Sequence, residues 1–215
     1  MRRLSTLLVF AVVSSALVAA PVSAQSCTTM AGNLVANCSF ETPGPSSFPN
    51  VDMLDALPGW SVGGGAFERW SNGFSGFTSK DGVAHLELDS NWGNTSIWQV
   101  ITTVVGQAYT VNFSAAHRPD GQFSQIQFLV GPQSDGNIVF TTPQMTAGYQ
   151  WMDYEASFVA TGTSTEIVFR SKGTSNSYGD HIDNISVTAV PEPTSLVLVG
   201  LGLLGVAVRA RRRFA

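Results

Sequence analysis

Apolar and polar side chains alternate in short runs along residues 25–190, and no stretch keeps an apolar stripe at helical spacing for three turns. Tyr109, Val111 and Phe113 alternate with Thr110, Asn112 and Ser114, and Met152, Tyr154, Ala156 and Phe158 alternate with Asp153, Glu155 and Ser157. Ala84, Leu86 and Leu88 against His85, Glu87 and Asp89, Ile126, Phe128 and Val130 against Gln127 and Leu129, and Ile167 and Phe169 against Glu166 and Arg170 extend the series to Ile185 and Val187. Alternation with a period of two sends successive side chains to opposite faces of a strand. With Leu34–Phe40, Gly59–Val62, Ala66–Trp70 and Ser96–Thr102 the pattern predicts nine to eleven strands, separated by turns such as Asp81-Gly82, Asp120-Gly121 and Asp135-Gly136. One apolar face per strand calls for antiparallel sheets and a second layer to cover them, so the expected fold is an all-β, antiparallel two-sheet sandwich. Thr42–Leu57 lacks alternation and is rich in Pro, Ser and Asp, which reads as a surface excursion able to form part of a ligand rim.

Both ends of the chain break this pattern. Residues 1–24 begin with Arg2 and Arg3, continue through an apolar run from Leu7 to Val18, and close on Val22-Ser23-Ala24 after Pro21. That order is a cleavable secretory signal, the alternative being a short anchor that is never cut. At the other end, residues 196–208 are thirteen Leu, Val, Gly and Ala, preceded by Pro191-Glu192-Pro193 and followed by Arg209, Arg211, Arg212 and Arg213. Thirteen helical residues reach about 20 Å, and snorkelling arginines let a helix over residues 195–209 span a thin or compressed bilayer. Arginines held on the cytoplasmic side at both extremes send residues 25–190 across the membrane. The chain thus divides into a signal peptide (1–24), one exported domain (25–190) and a C-terminal segment (191–215).

Removing the ends changes the charge. The whole chain carries −4, but six of its 11 basic residues and only one of its 15 acidic residues lie outside 25–190, so the exported part carries −9. Such a surface repels nucleic acid, whose binding rests on phosphate neutralisation, and suits a solvated extracellular protein or one that binds divalent cations. Cys27 and Cys38 both fall in the exported part, where disulfides persist. A bridge would pin the N-terminal segment; two free thiols are the alternative, and no metal-type spacing supports them.

The order Pro191-Glu192-Pro193, apolar stretch, arginine cluster resembles the PEP-CTERM sorting signal of Gram-negative bacteria. The resemblance implies processing near Pro191–Pro193 by an exosortase-type enzyme, a transient inner-membrane stop, and delivery to the cell surface or extracellular polysaccharide matrix. Asn33–Glu41, Leu57-Pro-Gly-Trp60, Asp81-Gly82 before Leu86-Glu87-Leu88, Gly106–Phe113 and His181–Val187 together resemble galactose-binding-like, carbohydrate-binding-module-like jelly-roll domains, over almost all of 33–188. Cys38 stands where the opening motif usually has glycine. Many domains of this fold bind carbohydrate while others bind protein, so the fold alone leaves function open.

Candidate sites follow, each with an alternative. Asp183 is in phase with Ile185 and Val187 and is expected to point inward, where an unpaired carboxylate is costly. A structural Ca²⁺ on Asp183, Glu41 and backbone carbonyls is one solution, as the jelly-roll resemblance also implies; the other has Asp183 binding backbone N–H groups in a turn and Glu41 solvated. Flat aromatic rings suit sugar faces, and the loop Trp70–Phe77 offers Trp70, Phe74 and Phe77 as ligand contacts or as packing. Trp60, Trp92 and Trp151 are further candidates; Trp60 and Trp98 read as packed. His117 and Arg118 open a polar loop that could bond a ligand or simply turn in solvent. Glu68, Glu87, Asp89 and Glu155 are the carboxylates available for glycoside hydrolysis, but alternation places them on the wet face, and no Ser-His-Asp or Cys-His set is present. The sequence therefore reads as a non-catalytic exported protein associating with extracellular polysaccharide, with an adhesive protein-binding role and, further off, a polysaccharide-degrading enzyme as alternatives.

Overall fold

The computed structural model describes residues 25–90, 93–119 and 123–191. The signal segment, Glu192, Pro193 and the apolar and arginine tail, Trp92 and the Asp120-Gly121 turn lie outside the described residues, within which no helix is long and apolar enough to cross a membrane.

The strands are β1 (Val51–Leu54), β2 (Ser61–Gly63), β3 (Phe67–Ser71), β4 (Ala84–Glu87), β5 (Asp89–Ser90), β6 (Gly93–Asn94), β7 (Ser96–Thr102), β8 (Ala108–His117), β9 (Ile126–Val130), β10 (Ile138–Thr141), β11 (Met152–Val159), β12 (Ser164–Ser171) and β13 (Asp180–Ala189). They form a six-stranded sheet in the order β1-β3-β4-β13-β8-β11, a five-stranded sheet β10-β9-β12-β7-β2, and a small hairpin β5-β6. Every strand pairing is antiparallel. The fold is the antiparallel two-sheet sandwich that the alternation predicts, of the jelly-roll kind that the resemblance implies.

The core lies between the sheets. Leu86, Val111, Phe113, Tyr154, Ile182 and Val187 from one sheet meet Ile97, Ile126, Phe128, Ile167 and Phe169 from the other. Phe113 and Phe169 touch edge to face at 5.2 Å, and each such buried side chain stabilises the fold by roughly 1.5–3 kcal/mol.

Four expectations are corrected. Leu34–Phe40 is not a strand: Asn37 and Phe40 take left-handed backbone angles (φ 47 and 60) and turn the chain. It nonetheless runs beside β13, with the Leu34 amide donating to the Val187 carbonyl and the Ile185 amide to the Cys38 carbonyl. The 42–57 excursion contains β1, whose Val51–Leu54 pairs with Phe67–Trp70 and forms the edge of the larger sheet. Asp183 does not share a face with Ile185 and Val187, because a bulge between Asp183 and Ser186, with Asn184 at φ 53, shifts the phase. Trp98 is half-buried outside the core cluster, as the alternation with Ile97 and Ile101 requires.

Cys27 and Cys38 are bridged. The loop they close lies against the bulge: Asn184 accepts from the Cys27 amide at 2.6 Å and donates to the Gln25 carbonyl at 3.2 Å. Closing a loop of this length is worth about 2–3 kcal/mol through the unfolded chain. Urea unfolding of the Cys27→Ser, Cys38→Ser double variant should show that loss, and reducing agent should lower the wild-type midpoint but not the variant's. Equal midpoints would mean the N-terminal segment is held without the bridge.

Candidate functional site

Alternation in β3, β4 and β13 puts Phe67, Leu86 and Ile182 in the core and sends Glu68, Trp70, His85, Glu87 and His181 to the opposite face of the six-stranded sheet. That face is not wet. The 74–79 segment and the chain before β11 fold over it and build a second, aromatic layer. Phe77 is stacked between Tyr149 (4.7 Å) and Trp151 (5.0 Å), and Trp70 meets Phe74 at 4.7 Å and His181 at 4.6 Å. His85 and His181 are completely buried in this layer, 5.1 Å apart. Burial pushes His85 down to about 3 and His181 well below its ordinary value, so both are neutral rings filling an apolar layer.

At the edge of the layer a cavity of about 280 Å³ opens, lined by Val51, Glu68, Trp70, Phe74, Arg118, Ser177 and Tyr178. Arg118 stands at its centre. Its guanidinium carbon lies 4.9 Å from the Trp70 ring and 4.2 Å from the Tyr178 ring, a cation wedged between two π faces. Its Nη1 donates to both Glu87 carboxyl oxygens and to the Ser177 carbonyl, each at 3.2 Å. The loop carrying Ser177 and Tyr178 is fixed by Asp89, whose Oδ2 accepts the Asn176 and Ser177 amides at 2.8 and 2.9 Å. Gly179 follows because its backbone packs onto Asp89, where any Cβ would lie 2.4 Å from the Asp89 Cβ.

Glu68 and Glu87 face each other across β3 and β4. Burial, and then the charge of Glu68, push Glu87 up to about 8, against the pull of Arg118 and the Gly179 amide; the two carboxyls are hydrogen-bonded. Burial beside another acid keeps the Glu87 proton in place at neutral pH.

The cavity thus gathers Trp70 of β3 and Phe74 from the turn after it with Arg118, which is distant in sequence and follows β8. Phe77 and His117 stand beside it without lining it: both are buried, Phe77 in the aromatic layer and His117 opposite Asp180 in β8. Glu41 and Asp183 lie elsewhere, against the 79–84 loop. Asp183 accepts the Lys80 and Asp81 amides at 2.8 and 2.9 Å, the Asn184 amide at 2.7 Å and the Ser39 hydroxyl at 3.0 Å. Glu41 accepts the Val83 and Ala84 amides at 2.8 and 2.9 Å. Gly82, at φ +68, passes so close that a Cβ would meet Glu41 Oε1. Among the described residues no group of three or more His, Cys, Asp or Glu is arranged to hold a metal ion.

Sequence reasoning missed Tyr178 and misread Glu68 and Glu87, which alternation alone assigns to solvent. The signal was the company they keep: His85, Glu87 and Asp89 share a face with Trp70, and a face carrying a tryptophan and a histidine is seldom left open. A second groove of about 270 Å³, lined by Asn112, Ser114, Asp153, Glu155 and Ser186 among others, runs over β8, β11 and β13.

A family model described as protein of unknown function (DUF642) matches residues 33–188, and the PEP-CTERM protein-sorting motif matches residues 189–213. The chain belongs to the DUF642 family, and its C-terminal motif marks it for export and sorting to the cell envelope. No curated protein matches the sequence. The structure of TmCBM61 in complex with β-1,4-galactotriose is similar at TM-score 0.51 and 19% identity, over 74% of this chain and 99% of that one. A cyclase from Fischerella sp. TAU in complex with 4-(1H-indol-3-yl)butan-2-one gives 0.52 and 16%, over 74% and 98%. The CBM22-1 xylan-binding domain from Paenibacillus barcinonensis Xyn10C gives 0.46 and 11%, over 69% and 100%. At these identities the first two likenesses establish the jelly-roll fold.

The raised Glu87 has a consequence for stability. Its folded-state pKa of about 8 exceeds the ordinary 4.5, so the stability it confers is complete below pH 4.5 and is lost as pH climbs towards 8. Unfolding free energy should fall over that window by up to about 1.4 kcal/mol per pH unit from this group. Glu87→Gln, which mimics the protonated form, should flatten the slope in urea titrations at pH 5, 6.5 and 8; parallel slopes would show that Glu87 is ionised in the folded protein.

Proposed function

We propose that this is an exported, non-catalytic envelope or matrix protein whose Arg118 cavity binds extracellular polysaccharide. The observation that carries the reading is the cavity's composition: aromatic faces at Phe74 and Tyr178, with Tyr178 49% exposed at the rim, beside the fixed polar groups of Arg118 and Glu68. Sugars present the same combination, an apolar C–H face bordered by hydroxyls. The likeness to TmCBM61, whose structure holds β-1,4-galactotriose, and a sorting motif read by an exosortase-type enzyme support it. Hydrolysis is disfavoured by geometry. Glycosidase carboxyls flank the scissile bond about 5–10 Å apart, whereas Glu68 and Glu87 are hydrogen-bonded to each other. Glu41 and Asp183 serve as braces of the 79–84 loop rather than calcium ligands, because N–H groups turn their positive ends to the oxygens a cation would need.

An adhesive, protein-binding role is the second reading, favoured by exposed Val104, Val105 and Val159 at the end of the sandwich from which the tail departs. Affinity electrophoresis in gels containing the host's own polysaccharide separates the two. Retardation is expected, and Tyr178→Ala should weaken it about 3–10-fold, the worth of one aromatic face. Unretarded migration in every polysaccharide would favour the protein-binding role. Intact mass of the surface-exposed protein should show an N-terminus after Ala24, a C-terminus near Pro191–Pro193 and the loss of two hydrogens to the disulfide. An uncut chain would remove export from the account.

A further inference from the structure

The end of the sandwich from which β13 departs is built without charge. The stretches that meet there, residues 97–116, 156–165 and 185–191, contain no Asp, Glu, Lys or Arg, although the exported part is strongly acidic. Along β11 and β12 the first charged side chains are Glu155 and Glu166, set back from the end. Valines stand there instead: Val104, Val105 and Val159 are 65%, 60% and 59% exposed, and Val190 is 38% exposed. Hydrogen bonds fasten the turns that carry them into one unit. The Gly106 amide donates to the Ala160 carbonyl at 2.8 Å, the Ala160 amide to the Gln107 carbonyl at 3.0 Å, and the Val104 amide to the Tyr109 hydroxyl at 2.9 Å. Val159 lies opposite Ala108, whose carbonyl accepts the Val190 amide at 2.9 Å. Short, stiff side chains on such a frame keep their apolar surface turned to whatever adjoins it.

Chain length says what adjoins it. Gln107 holds the Val190 carbonyl at 2.7 Å, and only residues 191–195 separate that point from the apolar run 196–208. Even fully extended, the link reaches at most about 20 Å, and the headgroup layer beside the hydrocarbon is itself about 5–7 Å deep. With the apolar run inserted, this end of the domain stays at the bilayer surface. Apolar groups tethered so close meet the interface at high effective concentration, so a contact of a few valines counts. Carboxylates, which are costly to take out of water, are absent from it.

We propose that Val104, Val105 and Val159 form a lipid-docking surface. It seats the unprocessed protein on the membrane that holds its tail, with Arg118 and Tyr178 at the far end of the sandwich, before cleavage at the sorting motif. The proposal rests on residues 196–208 being a membrane stop and not on the polysaccharide reading. A protein partner for the same valines is the competing outcome.

The chain from residue 25 to residue 215, reconstituted in vesicles of phosphatidylethanolamine and phosphatidylglycerol, tests it. Because Cys27 and Cys38 are bridged, a single fluorophore can be placed through Val105→Cys or Val159→Cys, and through Tyr178→Cys at the far end. Doxyl-labelled lipid should quench the first two several-fold more than the third. Val104→Asp with Val105→Asp should bring quenching at position 159 down to that at position 178, while the variant still floats with the vesicles. Quenching unchanged by the aspartates would show that the link alone sets the distance, and equal quenching at both ends that the domain does not dock; either overturns the proposal. Cross-linking between copies through position 105 without quenching would assign the valines to a protein partner and overturn it as well. Wild-type protein that fails to float with the vesicles would overturn the membrane-stop reading itself. Circular dichroism checks the fold of each variant; Val104→Ser with Val105→Ser replaces the aspartate pair should that one misfold, and positions 105 and 159 serve as reporters for each other.

Discussion

Strand β13 must bury both of its faces, and much of the architecture answers to that requirement. Residues Asp180–Val187 are all buried, although Asp180, His181, Asp183, Asn184 and Ser186 are polar. Each buried polar group needs a partner or must stay neutral. Asp180, pushed up to about 7 chiefly by burial, is bonded to Ser124 and Ser171. Asp183 draws in the amides of the 79–84 loop, and Asn184 draws in the first residues of the exported chain. The His181 ring nitrogens have no hydrogen bond, and the ring is accommodated in neutral form among Trp70, Phe77 and His85. The disulfide loop, the turn at Gly82 and the aromatic layer are thus separate answers to one strand.

The bulge at Asn184 lets the answers coexist. Before it, β13 pairs with β4 through His181 and Ile182; after it, the 33–38 segment takes over beside Ile185 and Val187. The extra residue restores the core phase while sending His181 and Asp183 to the outer face, which is where the cavity forms. Electrostatics then follow from burial. Glu87 sits beneath the loop that Asp89 fixes, too far from water to ionise beside Glu68, and Arg118 is the cation that makes the pair tolerable.

Much of the fold is legible in the sequence because alternation survives in the long strands: β8, β11 and β12 all show the expected faces. The shorter elements were harder. Val51–Leu54 lies in a segment whose Pro and Ser content hides a four-residue edge strand, and the phase shift at Asn184 leaves no mark in a pattern of apolar residues. The candidate site was legible in part for a related reason. Trp70, Phe74 and Arg118 stand out in the sequence as ligand candidates with packing or a solvated turn as the alternative, whereas Glu68, Glu87 and Tyr178 acquire meaning only when β3, β4 and the 176–179 loop come together. A carboxylate opposite an alternating apolar face looks solvated until something covers it, and here the cover comes from residues 74–79 and 149–151.

The same strand also sets where the cavity stands relative to the sorting motif. His181, beside Trp70 of the cavity wall, and Ala189, where β13 ends, are eight residues apart along the bulged strand, a separation of at most about 25 Å. Past Ala189 the chain is still held, with the Val190 amide donating to the Ala108 carbonyl and the Gln107 side chain donating to the Val190 carbonyl at 2.7 Å. The motif therefore leaves from the end of the sandwich marked by Val104, Val105 and Val159, while Arg118 and Tyr178 occupy the other end. The cavity thus lies at the opposite end of the six-stranded sheet from Val190. Under the polysaccharide reading proposed above, it is the length of an antiparallel strand, running from one end of the sheet to the other, that holds the cavity apart from Val190.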